Sequence, residues 1–158
     1  MDILTPRGLQ TLEDEHKAAR IWTGHYPAYQ YVMTPKEEPA VVDAVLVKDK
    51  IVVAVVETKC RYDMTIQDLM SHRNGEWLVT HEKLLKARQV GLGLGVPLVG
   101  FLYMVQDKVL LVQKLTDTDG NFVVEMRLEE TTTQQTVNGG IVTRSNAFIK
   151  MHNASVYA

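Results

Sequence analysis

Two runs of β-branched residues, 41–47 and 51–59, flank the polar stretch Lys48-Asp49-Lys50. Such runs favour the pleated, half-buried surface of a sheet, and a short polar link makes them neighbours in a hairpin. The second run is apolar on both faces, so it belongs in the middle of a sheet and needs cover on each side. The chain supplies candidates for that cover. Thr5-Pro6 is an N-cap followed by proline at the first helical position, and Leu9, Leu12, His16 and Ala19 recur at helical spacing. This predicts a helix over 6–22, ended at Gly24. Tyr26, Tyr29 and Tyr31 alternate with polar residues and suggest a first strand, broken by the stretch from Pro35 to Pro39.

Beyond the hairpin, 62–74 is polar and mixed, a loop or short helix. Residues 76–90 are rich in helix formers and predict a second helix, stopped by Gly91, Gly93 and Gly95. Runs 96–104 and 108–115 form a second pair of strands, and 122–128 reads as another. The stretch 131–135, with Gly139-Gly140 after it, reads as a polar connection. Helix, strands, helix, strands is the order of an α/β core with a mixed sheet flanked by helices. At 158 residues, 46% of them hydrophobic, a single domain over 1–158 is expected.

Composition narrows the function classes. A net charge of -2 gives no global basic field, so any nucleic-acid surface must be local. Cys60 is the sole cysteine, which rules out an internal disulfide and a sulfur-built metal cluster and suits a reducing compartment such as the cytoplasm. The five histidines (His16, His25, His72, His81, His152) lack the close pairing of zinc sites. Met1-Asp2-Ile3-Leu4 lacks a basic leader, and the longest apolar run, 96–105, is interrupted by Pro97 and Gly100. Neither export nor a membrane span is expected.

The chemistry concentrates on the hairpin. Asp43 lies among apolar neighbours in the first run, and Glu57 and Lys59 close the second with one residue between them. Strand side chains alternate, so Glu57 and Lys59 share a face. If paired positions sum to 100, Asp43 opposes Glu57, a register that centres the turn near Lys50 and calls for an odd-length loop. Two carboxylates at the end of a greasy hairpin are costly unless a cation neutralises them. A hard ion such as Mg²⁺ meets that need and keeps waters that can attack phosphate. An ammonium beside it can position that water and offset charge building on the phosphate. The plainer alternative is a strand-end salt bridge.

Asp43 followed by Glu57-Thr58-Lys59 resembles the D…(D/E)xK motif of the PD-(D/E)XK nucleases, a superfamily of Holliday-junction resolvases, restriction endonucleases and phage exonucleases. The resemblance runs from the first helix to about residue 115, with Val42 where the motif often has proline. It implies a restriction-endonuclease-like core and Mg²⁺-dependent hydrolysis of DNA phosphodiesters, with Mn²⁺ substituting. An endonuclease on structured or branched DNA comes first; an exonuclease of the same superfamily, or an inactive nucleic-acid-binding domain, is the alternative. Asp43 and Glu57 would be metal ligands together with the backbone carbonyl of Thr58, and Lys59 the catalytic lysine. A glutamate of the first helix commonly joins such a site. Glu13, four residues after Leu9 and three before His16, is preferred to Glu15. Arg61 and Arg73 on the following loop, and Lys83, Lys86 and Gln89 on the next helix, are candidate DNA contacts, each with a solvated surface as its plain alternative.

Three further features complete the reading. Trp22, Tyr26, Tyr29 and Tyr31 have the chemistry to stack bases, but core and sheet surface is the commoner use. The glycines at 91, 93 and 95 lack phosphate-loop spacing and read as a helix stop. A homodimer is expected to double the local basic patch, joined through Phe148, Ile149, Met151, Val156 and Tyr157.

Overall fold

The computed structural model describes residues 5–35, 40–135 and 141–158. The leader reading at 1–4, most of the proline break (36–39) and Gly139-Gly140 lie outside these residues. The chain runs α1 (Pro6–His25), β1 (Tyr29–Met33), β2 (Ala44–Lys48), β3 (Ile51–Arg61), α2 (Ile66–His72), β4 (Glu76–Thr80) and α3 (His81–Leu94). It continues with β5 (Leu98–Met104), β6 (Val109–Lys114), β7 (Met126–Gln135), β8 (Ile141–Lys150) and β9 (Ser155–Tyr157). Six strands form one sheet in the order β1-β2-β3-β5-β6-β9, and β4-β8-β7 form a smaller one. The large sheet is mixed, because β3 and β5 are parallel and the other pairs antiparallel. The protein is thus α/β with a mixed sheet flanked by helices, and β3 is central.

The hairpin obeys its sequence with one refinement. Asp49 and Lys50 both take positive φ (52° and 66°), the signature of a two-residue turn that pairs Lys48 with Ile51. That register would sum to 99. A bulge between Leu46 and Val47 absorbs Val53, and from Leu46↔Ala54 through Ala44↔Val56 the sum is 100. Continued by one residue, it sets Asp43 against Glu57. The odd residue sits in the strand and not in the loop. Asp43 itself precedes β2, yet pairing reaches it: its N–H donates to the Val56 carbonyl at 3.0 Å, and its carbonyl accepts from Thr34 N–H at 3.0 Å.

Alternation splits the core in two. Ala54, Val56 and Cys60 on β3 pack with Ala18 and Trp22 of α1 and with Phe101 and Tyr103 of β5. Val55 packs the other way, with Leu84 and Ala87 of α3, Leu69 of α2, Trp77 and Val79 of β4, and Ala147 and Ile149 of β8. Glu57, Lys59 and Arg61 share the phase of Val55 and face this second layer.

Several expectations need correction. The first helix continues through Gly24 to His25. The helix expected over 76–90 is a strand followed by a helix, because residues 76–80 are claimed by β8, which pairs Trp77 with Ile149 and Val79 with Ala147. The helix then runs through Gly91 and Gly93 and stops at Gly95, whose φ of 69° suits a left-handed cap. Residues 131–135, read as a connection, belong to β7, and strand does not begin until Met126. The C-terminal residues assigned to a dimer contact largely have a home here: Ile149 and Met151 are fully buried, while Val156 is exposed on the edge strand β9. No helix among the described residues is long and apolar enough to cross a membrane.

Candidate functional site

The β2–β3 register brings Asp43 and Glu57 together at the mouth of the hairpin. Glu57 is almost completely buried. Its register partner on β5 is Gly100, and the ring of Trp77 fills the space a side chain there would take, so that a Cβ would lie 2.6 Å from Cζ3. Apolar surface therefore walls the carboxyl. Burial, and next the Asp43 charge, raise its pKa from 4.5 to about 8, against the opposing pull of Lys83. At neutral pH Glu57 therefore holds its proton. Asp43 is better served, since Thr58 N–H donates to its Oδ2 at 2.8 Å.

Lys83, in the first turn of α3, sets its Nζ 2.8 Å from Glu57 Oε1 and 3.9 Å from Asp43 Oδ2. Burial alone would lower its pKa, but Glu57 and Asp43 reverse this and raise it. One ammonium does not satisfy two carboxyls: Glu57 Oε2 is buried with no hydrogen-bond partner. Lys59 keeps an exposed head on the same face of β3. Partial burial, and then repulsion by Arg61 and Lys83, lower its pKa.

Compared with protein-family models, curated proteins and solved structures, the chain matches none. Its chemistry must be read from the residues themselves.

The helix carboxylates turned inward are Asp14, which accepts from Tyr62 OH at 2.7 Å, and Glu15; Glu13 lies on the exposed face of α1. The docking face is set by Gly8, Asp14, Glu15, Ala18, Ala19 and Trp22, and Leu9, used to place Glu13, is 56% exposed. Tyr31 OH donates to Glu15 Oε2 at 2.8 Å and meets Thr58 Oγ1 at 2.7 Å. Glu15 thus reaches the motif through Tyr31, from the face of β3 opposite Glu57. Sequence reading gave Tyr31 no part in this link. The other aromatics of that run are packing residues, with Trp22 against Tyr26, Tyr29 and Phe101 at 4.9, 5.0 and 5.8 Å between ring centres. Burial pushes the Cys60 thiol up to about 12, which holds it protonated and unreactive.

Two clefts lie on this side of the molecule, neither of them lined by Asp43, Glu57 or Lys59. One, of about 360 Å³, is lined by Ala40, Val41, Thr80, Glu82, Lys83, Lys86 and Arg144. The other, of about 410 Å³, takes Arg61, His72, Arg73 and Arg127 over a floor that includes Trp77 and Leu102. Arg61 reaches across to the Leu78 carbonyl at 3.1 Å. Lys86 is held by Glu82 at 3.0 Å, and Arg127 by Glu76 at 2.8 Å. Gln89 is exposed and lines neither cleft. Arg144 arrives from β8, beyond the span of the family resemblance, and no local pattern in the sequence marked it.

Among the described residues, no three His, Cys, Asp or Glu side chains converge as a protein-only cage for an ion. The donors at hand are Asp43, Glu57 and the Thr58 carbonyl, all hard oxygens. That set fits an ion that keeps several waters or takes phosphate oxygens, the habit of Mg²⁺. The orphaned Glu57 Oε2 and the ammonium shared by both acids mark the place as one that needs positive charge.

Proposed function

We propose that the chain is a divalent-metal-dependent deoxyribonuclease of the PD-(D/E)XK type, cutting phosphodiester bonds within structured or branched DNA. The observation that carries this reading is the pairing of buried Glu57 with partly exposed Asp43, set across the hairpin by its register, with Lys59 two residues further on the same face. The order α1, β1 to β3, then a crossover of α2, β4 and α3 to the parallel strand β5, lends support to the resemblance. An ion held by Asp43, Glu57 and the Thr58 carbonyl would act as a Lewis acid toward phosphate and lower the pKa of its bound water. Lys59, with its lowered pKa, accepts a proton from the attacking water more readily than an ordinary lysine, and when charged offsets the growing negative charge on phosphate. Lys86, Arg61 and Arg73 hold neighbouring phosphates, and Trp77 keeps water from one side of Glu57.

Mn²⁺-supported cleavage of junctions, flaps, duplexes and single strands, in linear and circular form, tests the proposal with D43N and K59A as controls. Cutting of circular DNA that both variants lose is the expected result. Cutting confined to ends would make the enzyme an exonuclease. A second reading, a nucleic-acid-binding domain without chemistry, draws on the Lys83–Glu57 contact, which already compensates part of the buried charge. DNA binding without metal binding or cleavage would favour it.

A further inference from the structure

Lys83 stands where its own helix does not favour it. It lies in the first turn of α3, where the N-terminal end of the helix dipole repels cations. What holds the ammonium there is the acid pair, at 2.8 and 3.9 Å. The contact is incomplete on the acids' side, since Glu57 Oε2 has no partner. Behind the lysine opens the cleft it shares with Lys86 and Arg144, and its side chain is 44% exposed, so it has room to turn. A divalent ion at Asp43 and Glu57 would remove the attraction and add a repulsion at contact range.

Resting on the nuclease reading above, we propose that Lys83 is a tethered counter-cation that a divalent ion displaces from Asp43 and Glu57. Once released, it joins Lys86 and Arg144 as a contact for a substrate phosphate. The ammonium leaves the acid pair as the ion arrives, and the proton that Glu57 holds passes to solvent in the same exchange. Lys83 therefore competes with the metal in the resting protein and serves the substrate in the loaded one. Loss of the lysine should tighten metal binding while weakening the hold on DNA.

The experiment uses the full chain and two readouts that do not need turnover. Calorimetric titration with Ca²⁺ and Mn²⁺ compares wild type with K83M and K83Q, and D43N marks binding at this site. Both Lys83 variants should bind the ion more tightly, by roughly tenfold or more, since a competing unit charge at contact distance is gone. Amine-reactive footprinting read by mass spectrometry should show Lys83 becoming more reactive when Ca²⁺ is added, with Lys48, remote on the β2 end of the hairpin, unchanged. If wild type binds the ion, D43N does not, and the variants bind it no tighter or Lys83 stays as protected as before, the displacement proposal is overturned and the metal site stands. If none of the proteins binds a divalent ion, the metal-dependent reading and this one fall together.

Discussion

Replacing Glu57 with glutamine isolates the cost of the buried acid. The side chain is 4% exposed, and burial together with Asp43 holds its pKa at about 8 against an ordinary value of 4.5. Below pH 4.5 the folded and unfolded chains both carry the proton, and Glu57 adds no penalty. Between 4.5 and about 8 the folded protein keeps a proton that the unfolded chain releases, so stability falls as pH rises. Above about 8 the full cost of the buried charge is present, on the order of 5 kcal/mol. Glutamine has nearly the same shape and never ionises. In urea titrations with EDTA, E57Q should match wild type to within a small, constant difference at pH 4.5. By pH 9 it should be the more stable protein by several kcal/mol. Comparing the two proteins at each pH cancels the titrating groups that do not interact with Glu57. An E57Q protein less stable than wild type at pH 9 would show that the Lys83 contact outweighs burial and Asp43 repulsion, and the reasoning would be wrong in sign.

Lys59→Ala should lower cleavage by about a hundredfold or more, with circular dichroism and the melting temperature unchanged, because its head is exposed; wild-type cleavage would remove Lys59 from the mechanism. Asp43→Asn should weaken Mn²⁺ binding in calorimetry and raise the melting temperature in EDTA by relieving repulsion on Glu57. A sharp fall in EDTA would instead make the Thr58 N–H contact the reason for Asp43. Gly100→Ala places a Cβ 2.6 Å from the Trp77 ring and should cost about 1–3 kcal/mol in urea unfolding; an unaffected midpoint would mean that Trp77 does not press on this strand.

The hairpin and its acids were legible because the signals are local. Two β-branched runs and a polar link specify a β-hairpin, and period two puts Glu57 beside Lys59. The Asp43–Glu57 register also followed, although its extra residue is bulged at Val53 and not placed in the turn. Glu15 was misjudged against Glu13 because the docking face of α1 is built from Gly8, Ala18, Ala19 and Trp22, and small residues give a weak amphipathic signal. β4 was hidden for a different reason. Glu76 and the helix formers after Thr80 dominate a long window, whereas Trp77-Leu78-Val79-Thr80 has local β character, and its strand partner lies some seventy residues later. Neither Arg144 nor the burial of Ile149 could be read without that pairing.

The distance between β4 and β8 also sets the order in which the site is assembled as the chain is made. α3 begins at the residue after β4, and among the described residues β4 has no strand neighbour but β8. A nascent chain that has reached residue 135 already carries Asp43, Glu57, Lys59 and Lys83. It has yet to make the strand that fixes the wall behind them. Pairings this far apart in sequence form late, because the loop must close before any contact repays it. The site is thus completed only with residues 141–150, and a ribosome stalled earlier displays Asp43, Glu57 and Lys59 without the wall behind them.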